Sequence, residues 1–311
     1  VYDPATGLVV DLVPGEDAHA GERVLMPAVA ATAAPGEVWI ADRNFATRPF
    51  LAAVLARGAD ILVREHGSTP APTPVGPRRR VGRCATGVLY EEAVALSLAD
   101  PTGAVGIRRL RRLELHLDTP TTDGDTVLRL LTSLPPRVSA RRLAEVYRQR
   151  WAIEGMFQRL EATLRSELAT LSQPRAALLA FTTAVVAYNV LATIEAALVA
   201  EAEAHGTATG TPPVPISLYY VAHAVREASG GLAIAVAAAV WARYDRLTPA
   251  ALARTLRALA RHATLAAFRK HPKPATAKRP KGYAPRADVQ HTVATARLLK
   301  EPRAKRDQRA P

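Results

Sequence analysis

The chain has 311 residues and a formal net charge of +13, with 49% hydrophobic and 22% charged residues, so it can bury the core of one large domain or two small ones. A single cysteine, Cys84, excludes a disulfide framework and any cysteine-built zinc or iron–sulfur site, and it fits a reducing cytoplasm. Aromatic residues at 5% argue against a surface built on stacked bases.

The first seventy residues alternate strand and helix. Gly7 to Val13 is rich in β-branched residues and stops at Pro14-Gly15, and with Val1-Tyr2 it predicts an antiparallel hairpin. His19 to Thr32 has helical spacing, interrupted by Pro27. Val38-Trp39-Ile40-Ala41 reads as a strand buried on both faces, Pro49 to Arg57 as a helix closed by Gly58, and Ile61-Leu62-Val63 as a second buried strand. Strand, helix and strand in so few residues predict a parallel βαβ unit.

From 67 to 138 prolines and short β-branched runs predict several short strands joined by turns, a β-rich insertion. Ser139 is an N-cap for one long helix running to about Leu171, and Pro174 separates it from a second that reaches about His205. Residues 176 to 194 carry no charge, which on hydropathy alone suits a membrane span; Thr182, Thr183, Tyr188, Asn189 and Thr193 dilute the run, and a core helix is the expectation. Residues 207 to 216 read as a linker and 217 to 268 as two or three further helices. Residues 269 to 311 hold thirteen Lys or Arg against Asp288, Glu301 and Asp307, including every lysine of the chain. Such a basic tail is expected to be disordered without a partner and to add sequence-independent affinity for DNA.

Two strings carry candidate chemistry. Asp42 stands directly after the VWIA strand, in Asp42-Arg43-Asn44-Phe45, where an acid faces the rim at which open α/β sheets bind ligands; the structural alternative is a cap on the turn that follows. In the long helix, Tyr147, Arg150 and Glu154 are spaced to share one stripe of about sixty degrees, continued by Gln158, Glu161 and Arg165, with Phe157, Leu160, Leu164 and Leu168 beside it. An ordinary salt-bridged amphipathic helix has the same spacing.

Together these strings resemble DDE transposases of the bacterial insertion-sequence-four family. The resemblance matches Asp42 to the family's second catalytic Asp, and Tyr147, Arg150 and Glu154 to its Y-x-x-R-x-x-x-E helix string. It implies an α/β, RNase H-like core begun by residues 1–66, interrupted by the insertion at 67–138 and completed by the helices of 139–206. A helical C-terminal region at 207–268 and the tail would follow. It also implies Asp42 and Glu154 as catalytic acids and ligands of two Mg²⁺ or Mn²⁺ ions, because in-line displacement at phosphorus uses hard cations held by carboxylates. Tyr147, Arg150 and Arg165 would contact DNA phosphates. The expected partners are insertion-sequence ends and target DNA, with a possible homodimer in a synaptic complex, no stable membrane association, and a cytoplasmic, nucleoid-associated location.

The sequence departs from the family string twice. The signature lysine position holds Glu161, leaving Arg165, one turn on, to take its phosphate contact. No acid of the opening hairpin suits the role of the first catalytic Asp: Asp3 lies in a turn and Asp11 inside a strand. That acid, and the strand bearing it, are expected upstream of Val1, and the chain as written is expected to be inactive. Two rivals stay open: a DNA-binding protein derived from a transposase but without catalysis, and a membrane-associated protein anchored by residues 176–194. The eight histidines form no His-x-x-x-His pair and no G-x-x-x-x-G-K loop is present, so zinc and nucleotide chemistry lack their signatures.

Overall fold

The computed structural model describes residues 1–15, 21–67, 70–99, 103–121, 124–164 and 173–271. The hairpin expected at the start is present but short: β1 (Tyr2–Asp3) pairs antiparallel with β2 (Leu8–Val9), and Gly7 turns the chain at φ +73°. Asp11 lies beyond the second strand. A 3₁₀ turn at Glu22–Leu25 leads into α1 (Met26–Ala31). Pro27 falls in the first turn, where its missing N–H is no loss, so it starts this helix instead of interrupting it.

The βαβ unit forms as the sequence predicts. Strand β3 (Val38–Ala41) and strand β4 (Asp60–Arg64) run parallel in the register Val38↔Asp60 to Ala41↔Val63, linked by α2 (Arg48–Ala56). Gly58, at φ +79°, reverses the chain after the helix, a conformation a side chain at that position would oppose. Ile61, Leu62 and Val63 are fully buried, whereas Val38 is 40% exposed. The expectation of two-sided burial therefore fails for β3. It is an edge strand, paired only to β4 among the described residues.

Residues 67–138 hold β5 (Thr73–Pro74), β6 (Arg79–Cys84), β7 (Gly87–Ala99), β8 (Val105–Leu117) and β9 (Val127–Thr132). Two of these are thirteen residues long, not the short strands expected. They continue the sheet of the βαβ unit through the antiparallel β4–β9 pair, giving seven strands in the order β3-β4-β9-β8-β7-β5, with β6 also on β7. One face, bearing Ile61, Val63, Val94, Leu96, Leu110 and Leu131, packs beneath α1 and α2. The other, bearing Leu62, Leu113 and Leu130, packs against α3 (Ala140–Arg148), whose N-cap Ser139 accepts the Arg142 N–H.

The single long helix expected after Ser139 is broken. A 3₁₀ turn at Gln149–Trp151 separates α3 from α4 (Ala152–Leu164); residues 165–172, with Leu168, lie outside the described residues. Helices α5 (Pro174–Thr209), α6 (Leu218–Ala235), α7 (Ala238–Trp241) and α8 (Pro249–Ala260) follow. Met156, Leu160, Val185, Tyr188 and Leu191 form a helical core with Val9 of the hairpin. Asn189 secures that junction, its Nδ2 donating to the Val9 carbonyl and its Oδ1 accepting the Val9 N–H, while the Tyr188 hydroxyl donates to the Gly7 carbonyl.

The core reading of residues 176–194 holds for one side only. Leu178, Leu179, Val186 and Val190 are exposed, and 22% of the most apolar stretch of α5 is buried. By length and composition this helix is apolar enough to cross a membrane.

Candidate active site

Parallel pairing brings the C-terminal ends of β3 and β4 to one rim of the sheet, Asp42 following the first and Arg64 ending the second. Asp42 is extended, at φ −81° and ψ −175°, and one of its two carboxylate oxygens accepts the Asn44 N–H at 2.9 Å. The capping alternative is therefore real, and it occupies one oxygen at a position that still faces the rim. Arg64 forms an ion pair with Asp125 at 2.5 Å.

Beneath this rim, α3 inserts Tyr147, which is 3% exposed and packed with Leu62, Leu113 and Leu130. Burial pushes its phenol up to about 12; the nearby Arg150 and Arg64 guanidiniums pull the other way and Asp42 reinforces the rise. Asp42, Arg64, Tyr147 and Arg150 are thus one electrostatic neighbourhood. Because the folded-state value lies above the ordinary phenol value of about 10, the neutral group favours the fold fully below pH 10, and that contribution is lost as pH rises towards 12. Tyr188 behaves in the same way. Tyr147→Phe should therefore keep the fold and flatten, without abolishing, the alkaline loss of stability measured by urea unfolding from pH 9 to 12.

Along the expected stripe Tyr147, Arg150 and Glu154 differ in burial. Tyr147 is buried, the Arg150 side chain is 19% exposed and that of Glu154 is 56% exposed. The intervening 3₁₀ turn advances about 120° per residue instead of 100°, which changes the order of the three around the helix but keeps them within a stripe of about sixty degrees. Of the apolar face expected beside it, Leu160 is buried and Phe157 is 49% exposed, with Met156 buried as well. Arg150 still links the two ends: Nη2 donates to Glu154 Oε1 at 3.2 Å, and the guanidinium lies 4.6 Å from the Trp151 ring centroid. Its Nε is buried without a hydrogen-bond partner among the described residues. Trp151 meets Tyr147 edge to face at 5.9 Å, beside a cavity of about 360 Å³ floored by Leu115, Leu128 and Leu130. Glu161 is exposed, and Arg165 lies outside the described residues.

Among the described residues no group of three or more His, Cys, Asp or Glu side chains gathers where a metal ion could be held. Asp42 and Glu154, one partly committed to a cap and the other to Arg150, are too few donors for the two-ion site that the resemblance implied. Two residues that the sequence reading missed also shape this region. Arg64, like Asp42, stands at the carboxyl end of a strand of the parallel pair, a signal that was legible. Arg111 was not: its Nε donates to Glu91 at 2.6 Å and its Nη1 to the carbonyls of Leu134, Pro135 and Val138, fixing the segment that launches α3.

Residues 1–190 match the family model described as the transposase DDE domain. No curated protein shows significant similarity to the chain.

Proposed function

The chain belongs to the transposase DDE domain family, and from that premise we propose that it is the DNA-handling and partly assembled catalytic portion of a transposase of the insertion-sequence-four type, with an RNase H-like core. Transposases act on DNA by phosphoryl transfer, and DDE domains generally use divalent metal ions for it. The observation that carries the reading is the convergence of Asp42, Tyr147 and Arg150 at the rim, with Glu154 tied to Arg150. In this reading Asp42 and Glu154 are two of the acids, and Tyr147 and Arg150 hold a phosphate of the bound strand. The buried Nε of Arg150, without a hydrogen-bond partner among the described residues, suits a group that completes its bonding on an anion. A strand carrying a further carboxylate would pair along the edge of β3 that is unpaired among the described residues, next to Asp42.

The shortage of acids among the described residues favours a second reading for residues 1–311 taken alone: binding to DNA without cutting it. A strand-cleavage assay with Mg²⁺ or Mn²⁺ on duplex DNA, run beside a binding assay, separates the two.

The basic tail lies almost wholly outside the described residues, and its proposed role rests on composition. If about six of its charges meet phosphates, affinity should fall on the order of a thousandfold between about 50 and 200 mM salt. Deleting residues 269–311 should flatten that dependence; an unchanged slope would leave the tail without a role in DNA binding.

A further inference from the structure

Edge strand β6 and the residue before it carry Arg78, Arg79, Arg80 and Arg83 with no acid between them. In an unbroken strand Arg80 and Arg83 would point to opposite faces. The ladder with β7 is not unbroken: Arg80 pairs with Tyr90, but Gly82 pairs with Leu89 and Arg83 with Val88. The extra residue is a β-bulge at Val81–Gly82, and it resets the alternation. Directly paired residues share a face, so Arg80 and Arg83 both stand on the face of Tyr90 and Val88.

That face continues across the sheet. Tyr90 pairs with Glu114, which pairs with Arg129, and Val88 pairs with His116. Arg78 joins the same face, its guanidinium 4.3 Å from the Tyr90 ring centroid and 2.9 Å from Glu114. The Glu114 side chain, 8% exposed, also holds Arg129 at 2.9 Å and His116 at 3.3 Å. Burial would raise this carboxyl, yet the hydrogen bonds from Arg129 and His116 and the charge of Arg78 keep it below its usual range. One buried negative charge thus anchors two half-exposed guanidiniums and leaves the cluster positive. Arg83 is 56% exposed, and its partner Asp118 is 45% exposed.

We propose that Arg78, Arg80, Arg83 and Arg129 form a contact surface for the phosphates of duplex DNA, on the sheet face opposite α3. This rests on the reading that the chain acts on DNA. The row from β6 to β9 crosses three strand spacings, about 14 Å, a span that takes in several phosphates at about 3.4 Å rise along one strand. Tyr90 is covered by Arg78 and offers no open ring for a base, so the surface suits backbone contact and not stacking on single strands. Glu114 is a positioning residue that fixes where Arg78 and Arg129 stand.

The test measures binding of the full chain to a 40-bp duplex of arbitrary sequence by fluorescence anisotropy from 50 to 200 mM NaCl. Arg80→Gln with Arg83→Gln leaves the Glu114 cluster intact and should reduce the salt slope by about 2, so that affinity falls roughly tenfold less across that range. The paired Lys substitutions should restore the slope. If the wild-type chain binds and the Gln variant binds with the same affinity and slope, the surface is not a DNA contact. If the wild-type chain fails to bind at all, the DNA reading itself falls, and this surface with it.

Discussion

Residues 1–311 should bind duplex DNA and leave it uncut in Mg²⁺ or Mn²⁺. In-line displacement at phosphorus spreads negative charge over attacking and leaving oxygens, and neutralising it takes hard cations held by several carboxylates. The acids proposed for that work are Asp42, with one oxygen committed to the Asn44 N–H, and Glu154, exposed and paired to Arg150. Among the described residues no third acid joins them. A longer product that adds a strand with a carboxylate along the edge of β3 unpaired among the described residues should cleave DNA with these ions. Asp42→Ala or Glu154→Ala in that product should each remove about 4 kcal/mol or more of charge stabilisation, roughly a thousandfold in rate. Binding should persist, because phosphate affinity comes from the arginines. Metal-dependent cutting by residues 1–311 alone, or an active longer product indifferent to both substitutions, would overturn the assignment of these acids.

The parts of the fold legible in the sequence are those where one residue type decides the local geometry. The VWIA run, Gly58 and Ser139 each marked their element where it stands. The long β7–β8 hairpin was hidden because Glu91, Glu92 and the arginines from 108 to 112 break the apolar alternation and look like turns. In the sheet those charges answer one another across strands: Arg111 with Glu91, Arg112 with Glu92 and Glu65, and Arg129 with Glu114. Only pairing partners reveal that, and a single strand read alone does not contain them. The two strings of the site were visible as well, but the break between α3 and α4 was not. A 3₁₀ turn inside a helical run has no compositional mark, and neither does the difference in burial between Tyr147 and Glu154 on either side of it.

Arg111→Ala should be strongly destabilising although the residue lies outside the apolar core. The Arg111 side chain is 11% exposed and its partner Glu91 23%, so removing the guanidinium strands a mostly buried carboxylate. Breaking such a pair costs about 3–5 kcal/mol, because the remaining charge keeps its desolvation penalty and loses its partner. The three carbonyls of Leu134, Pro135 and Val138 lose a shared donor at the same time. That segment joins β9 to α3, so the loss should also loosen the helix that holds Tyr147 under the rim. Arg111→Lys keeps a charge near Glu91, but an ammonium cannot reproduce a planar fork serving a carboxylate on one side and three carbonyls on the other; it should cost less, about 1–2 kcal/mol. Urea unfolding of the two variants beside the wild-type chain measures both values. A loss below about 1 kcal/mol for Arg111→Ala would mean that water replaces the guanidinium at those carbonyls, and that α3 is held by its packing on Leu62, Leu113 and Leu130 alone.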